Sequence, residues 1–247
     1  MKRIVPTSLA LLAVVSATAT ATASGGSTVV PLKEAKLNIE HNATDNDTGF
    51  QGFVDSEGWK QLDVRGPGGK VLEFEASRAL GVLGVTELFF ESVEPANDKT
   101  PIGEVLGALP AGNYTIAGSG QEDGKRTGRT SRTALLTHDI PAGPGLVAPT
   151  GASVPLSGTV ARWKPVSKTI TGKPVKIISY QLIVEKDVEP DRHMIGKLGL
   201  SMYLPPSVTQ IEIPTGFLEP RTAYKWEVLA IERSGNQTLS SAEFRTR

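Results

Sequence analysis

The stretch from Asp139 to Gly158, DIPAGPGLVAPTGASVPLSG, sets Pro141, Pro144, Pro149 and Pro155 among glycines and small residues. Proline fixes φ and removes a backbone donor, so neither a helix nor a central strand can run through this segment. It divides the 247-residue chain into two lengths, 28–143 and 150–247, each the size of an ordinary domain. Both lengths read as strands. In the second, VKIISYQLIV (175–184), VTQIEI (208–213) and YKWEVLAIE (224–232) are rich in β-branched or aromatic residues and bounded by proline or glycine. In YKWEVLAIE, Tyr224, Trp226, Val228 and Ala230 share one face, and Lys225, Glu227, Leu229 and Ile231 share the other. The first face is a buried one and the second is mixed.

The first length has similar grammar. WKQLDV (59–64) and VLEFEA (71–76) flank Arg65-Gly66-Pro67-Gly68-Gly69-Lys70, the pattern of a hairpin. TELFFESVE (86–94) is its most apolar strand, with Leu88 and Phe90 facing one way and Glu87, Phe89 and Glu91 the other. A short helix is expected around Ser77–Leu83, weakened by Gly81. The fold class is therefore all-β, and the family resemblances that follow imply two tandem antiparallel β-sandwich modules.

The second half resembles a fibronectin type III domain. Trp163 in the second expected strand, Tyr180 in the third, the segment Leu218-Glu219-Pro220-Arg221-Thr222-Ala223-Tyr224 and the closing Ala242-Glu243-Phe244-Arg245-Thr246 carry the resemblance. Leu-x-Pro-x-x-x-Tyr is the most specific part. The resemblance implies that Tyr224 sits at a corner between two sheets, its hydroxyl on nearby backbone and its ring in the core. Asp187–Leu204 departs from the pattern as a longer connection. The first half resembles an immunoglobulin-like sandwich only weakly, through Leu109-Pro110-Ala111-Gly112-Asn113-Tyr114-Thr115-Ile116, a strand entry of similar composition.

Lys2 and Arg3, the apolar run Leu9–Val15, and small residues at Ala19, Ala21 and Ala23 form the pattern of a secretory signal peptide over 1–23. The expected localisation is periplasmic or secreted, with no stable membrane insertion of the mature chain. The sequence contains no cysteine, so folding proceeds without disulfides and no thiolate is available for metal binding or catalysis. Lys plus Arg and Asp plus Glu both number 26, which argues against a nucleic-acid partner.

Signatures of chemistry are sparse. His41, His138 and His193 form no close pair and are expected in turns or at the surface, and no Gly-x-Ser-x-Gly elbow or Walker loop occurs. The polar cluster Glu40-His41-Asn42-Ala43-Thr44-Asp45-Asn46-Asp47-Thr48-Gly49-Phe50-Gln51 offers hard oxygen ligands of the kind calcium takes, with Asp45 and Asp47 as the candidate metal ligands. Glu87, Glu91 or Glu94 could complete such a shell. The cluster does not match an EF-hand loop, since Gly49 is misplaced and Ser56 occupies the twelfth position; a polar turn is the competing reading. Asn42, Asn46, Asn113 and Asn236 begin Asn-x-Thr sequons, read as turn residues. Lys125–Arg132 is strongly basic and is read as an exposed hairpin.

These features point first to an exported, non-enzymatic protein that binds another protein or an extracellular or envelope polymer through its loops, namely Asp45–Gln51, Gln121–Arg132 and Asp187–Leu204. Two alternatives stay open. One is a polymer hydrolase using carboxylates of the first module, Glu87 and Glu91 foremost; the other is a structural spacer with no specific ligand.

Overall fold

The computed structural model describes residues 29–122, 124–194 and 196–247. The expected signal peptide lies outside the described residues. Among them, no helix is long and apolar enough to cross a membrane.

The first half runs β1 (Val29–Pro31), β2 (Glu34–Asn42), β3 (Asp47–Gly66), β4 (Gly69–Glu75), α1 (Arg78–Leu83), β5 (Val85–Glu91), α2 (Ile102–Ala108), β6 (Gly112–Glu122) and β7 (Lys125–Leu136). Strand β3, 20 residues long, organises it. Its first part pairs with β2 on one edge and β5 on the other. Its second part pairs with β4 and β6. Register shifts between Asp55 and Gln61 separate the two parts. Such irregularities bend a strand and increase its twist. The sheet thus curls over a core that includes Ile39, Leu62, Val64, Tyr114 and Ile116, all essentially inaccessible. β7 continues the sheet from β6, and β1 adds to it in parallel. The Tyr114 hydroxyl donates to the Pro110 carbonyl at 2.8 Å, tying the entry of β6 to the preceding turn. The expected hairpin is β3–β4, closing at Gly66 and Gly69, and the expected helix is α1.

The second half comprises β8 (Gly145–Ala148), β9 (Gly151–Val154), β10 (Val160–Lys164), β11 (Ile177–Lys186), β12 (Gly199–Leu204), β13 (Gln210–Glu212), β14 (Ala223–Glu232) and β15 (Gln237–Thr246). One sheet has the order β13-β10-β8; in the other, β12, β11, β14 and β15 are successive neighbours. The proline-rich segment supplies only edge strands, β8 on β10 and β9 on β15, as the missing donors require.

Trp163 and Tyr180 meet edge to face with centroids 5.6 Å apart, and the Tyr180 hydroxyl accepts from the Val166 amide at 2.8 Å. At the corner, the Tyr224 hydroxyl accepts from the Glu219 amide at 2.9 Å while its ring stacks on Phe244 at 5.3 Å. Leu218 is buried beneath this corner, and Pro220 stays exposed with its carbonyl accepting from the Thr222 hydroxyl. The Trp226 indole donates to the Pro149 carbonyl at 3.0 Å, which holds the linker against the second core.

The halves meet edge to edge. β15 pairs in parallel with β2, Gln237 opposite Glu40, Thr238 opposite His41 and Leu239 opposite Asn42. Asn236, just before β15, locks this junction. Its Oδ1 accepts from the Ile39 amide at 2.9 Å, and its Nδ2 donates to the Thr137 carbonyl and hydroxyl, both at 3.0 Å, and to the Asp139 carbonyl at 3.3 Å. The Thr238 hydroxyl adds a bond to the Pro141 carbonyl at 2.6 Å. Of the four sequon asparagines read as turn residues, Asn236 is instead a buried clamp, 1% exposed, and Asn42 and Asn113 lie in strands. His41, expected at the surface or in a turn, is buried in β2. Its Nδ1 is 2.9 Å from the Asp47 carbonyl, and burial pushes the imidazole below its ordinary pKa.

Candidate functional site

Strand alternation sends Leu37 and Ile39 of β2 into the first core, and Tyr224, Trp226, Val228 and Ala230 of β14 into the second. Their neighbours on the opposite faces meet across the β2–β15 junction. They form the floor of a groove of about 1040 Å³ that crosses from β5 and β3, over β2, β15 and β14, to β11 and β12. Glu227, Leu229 and Ile231 of the mixed face of β14 lie in it, as do Phe89 and Glu91 from the polar side of β5. Several of its large apolar side chains stand open to solvent: Tyr203 is 70% exposed, Phe89 58% and Leu135 56%. Phe53 is partly covered by the Lys36 ammonium, 5.7 Å from the ring centroid.

An acidic cluster stands at one end. Glu40 is opposite Gly49 and Gln51 opposite Glu91, so these positions share a face. The absence of a side chain at Gly49 lets Glu94 lie over it; a Cβ there would fall 2.6 Å from Glu94 Cγ. As a result Glu40, Glu91 and Glu94 each bring a carboxylate oxygen within 4.8 Å of the others. Glu40 is buried, and its Oε2 accepts from Gln51 at 2.9 Å and also from Gln237, a bond across the junction. Burial, ahead of its charged neighbours, raises the Glu40 pKa. Glu94 is pushed up to about 7, first by burial and then by the charges of Glu40, Glu91 and Asp47. Among the described residues, Asp47 Oδ1, Glu94 Oε1 and Asn97 Oδ1 are enclosed and find no hydrogen-bond partner.

The two candidate metal ligands therefore occupy different surroundings. Asp45 is exposed in the turn between β2 and β3, where its Oδ2 accepts from Asn42 Nδ2 at 2.8 Å and Asn42 Oδ1 accepts from the Thr44 and Asp45 amides. That is the polar turn foreseen as the competing reading. Asp47 opens β3 and is half-buried, its pKa raised first by burial and then by Asp45. Glu91 and Glu94 join Glu40, whereas Glu87 stands apart on the exposed side of β5. Glu40 was legible only as part of the polar cluster; its meeting with Glu91 depends on β5 pairing with β3.

The sequence-based loop candidates contain much regular structure. Asp47–Gln51 begins β3, Lys125–Arg132 belongs to β7, and Gly199–Leu204 is β12. Arg126 and Arg129 of the basic run line a smaller hollow of about 390 Å³ together with Asp63.

Glu94 gives this corner a pH response. Because its folded pKa lies above the ordinary carboxylate value, the folded state holds the proton more tightly than the unfolded chain. Its favourable contribution is present below about pH 4.5 and is lost as pH rises toward 7. Solvent screening at this half-buried position reduces the effect to the order of 1 kcal/mol. Glu94→Gln should therefore raise the thermal midpoint at pH 8 by a few degrees and leave it unchanged at pH 4, as scanning calorimetry at the two pH values would read.

No protein-family model matches the sequence, and no curated protein matches it. Among solved structures, the chain is similar to a two-domain fibronectin type III segment of chicken tenascin, at 12% identity and a TM-score of 0.32, over 87% of this chain and 99% of that one. It is likewise similar to the FN1-FN3 domains of chicken CNTN1, at 11% identity and a TM-score of 0.32, over 90% of this chain and 67% of that one. These neighbours are built from fibronectin type III domains. The all-β fold described above stands on the strands and cores of this chain itself.

Proposed function

We propose that this is an exported, non-enzymatic β-sandwich protein that binds an extracellular or envelope partner in the groove across its joined sheet. The groove is the observation that carries this reading. Concave surfaces with exposed aromatic groups and convergent polar side chains are the usual form of a binding site. The reading moves recognition from the loops to the sheet face. The hydrolase alternative rested on Glu87 and Glu91, both exposed on β5, and Glu87 lies outside the carboxylate cluster. The spacer alternative shares the joined sheet but requires no ligand.

Amide exchange of the full chain, followed with and without a solubilised envelope extract, separates these readings. Added protection concentrated in β11, β14 and β15 supports the groove. Protection confined to residues 121–132 or 187–199 would return recognition to the loops, and unchanged exchange throughout would favour the spacer.

A calcium ion at the acidic cluster is part of the proposal. The oxygen donors Glu40, Glu91 and Glu94 are of the hard type calcium takes, and the unpartnered Asp47 Oδ1 and Asn97 Oδ1 add to the oxygen-rich surroundings. In this reading Asp47 is a ligand and Asp45 holds the turn. Millimolar Ca²⁺ at pH 8 should raise the thermal midpoint, and chelator, Glu94→Gln or Asp47→Asn should abolish the rise while Asp45→Asn preserves it. A midpoint indifferent to Ca²⁺ at pH 8 would leave the cluster a pH-responsive group of carboxylates with no metal.

A further inference from the structure

We infer that the groove takes a neutral oligosaccharide chain. The inference rests on the reading of the groove as the binding face and names its occupant. Charge complementarity comes first. In the metal-free groove Lys36, Arg132 and Arg233 are matched by Glu40, Glu91 and Glu227, so the surface offers no net field to an anionic polymer or a basic peptide. The chemistry of the lining comes second. Phe89 and Tyr203 are open aromatic platforms for the C–H faces of sugar rings. The amides of Asn38 and Gln181 each make one bond within the floor, to Gln51 Oε1 at 3.4 Å and to the Ser201 hydroxyl at 3.0 Å, and keep a carbonyl oxygen and a second N–H in one plane, the arrangement that meets adjacent hydroxyls on a ring.

The backbone argues in the same direction. Within the floor, β14 is paired on both sides, by β11 and β15, and β11 by β12 and β14. A bound peptide would therefore find few free backbone groups there to add a strand. A volume of about 1040 Å³ stands at the top of the roughly 300–1,000 Å³ range of small-molecule sites. That space suits several linked rings better than one.

The test is native affinity electrophoresis of the full chain through gels containing hydroxyethylcellulose, xylan, galactomannan, laminarin or dextran, with polygalacturonate and heparin as anionic controls. At least one neutral polysaccharide should retard the protein, and the anionic polymers should not do so more strongly. Tyr203→Ala and Phe89→Ala should each weaken the retardation roughly tenfold, whereas Tyr203→Trp retains it. Both side chains are exposed, so an unchanged thermal midpoint serves as the folding control. Retardation by none of the neutral polymers would overturn the assignment of the occupant. If the groove strands still gained exchange protection from envelope extract, the groove itself would stand as a site for another class of partner. Retardation that persists in the Phe89→Ala/Tyr203→Ala double variant would overturn the groove as well.

Discussion

Replacing Asn236 by alanine should lower stability by about 3 kcal/mol, because the Ile39 amide and the carbonyls of Thr137 and Asp139 lose this buried partner together. Each buried group left unpaired costs about 1–3 kcal/mol, and some of that is recovered if water reaches the opened junction. For a chain of this size the thermal midpoint should fall by roughly 6–12 °C. Asn236→Asp is the sharper control. It keeps the acceptor for the Ile39 amide, but turns a carboxylate oxygen toward the carbonyls of Thr137 and Asp139, so it should be at least as damaging despite its matching shape. A variant with the parent midpoint would mean that the clamp does not hold the halves together.

The second large effect is expected at Gly118 in β6. A Cβ there would lie 1.7 Å from the backbone oxygen of Gln61 and 2.6 Å from its carbonyl carbon. Backbone cannot yield as a flexible side chain can, so Gly118→Ala must push β6 away from β3 at the point where the sheet curls. The cost should be at or above the top of the usual overpacking range of about 1–3 kcal/mol. Gly68→Ala at the hairpin tip, where an added Cβ meets open space, should be nearly neutral by comparison. Urea unfolding of the pair would separate close packing at Gly118 from a general effect of losing glycine.

Strand identity was legible because it is written locally. Val175–Val184 and Tyr224–Glu232 alternate β-branched and aromatic residues, and the structure forms β11 and β14 there. The corner at Leu218, Pro220 and Tyr224 was legible because one hydroxyl reaches backbone only a few residues away. Helix α2 gave little signal: Ile102–Ala108 contains Gly103 and Gly107 and is held by packing of Ile102, Val105 and Leu106 on the first core.

The groove was half legible. The mixed faces of Tyr224–Glu232 and Thr86–Glu94 were visible as faces, but their meeting depends on the β2–β15 register. That register is set by contacts between residues 197 apart, Asn236 with Ile39 and Gln237 with Glu40. Local periodicity contains no such information. Reading Asn236 as a turn residue placed it near the correct bend and missed its function as a clamp. The acidic cluster was hidden for a related reason, since Glu40 and Glu91 become neighbours only when β2 and β5 flank the same stretch of β3.

The two halves are fixed to one another through the β2–β15 pairing and share one groove. Because the sequence has no native cysteine, spin labels can be attached uniquely at Glu87→Cys on β5 and Ser201→Cys on β12, both exposed and on either side of the β2–β15 junction. Pulsed electron–electron resonance on this pair should give a single narrow distance distribution, and Asn236→Ala should broaden it. A broad distribution in the parent chain would mean that the halves move independently, and the shared groove would not exist as a preformed site.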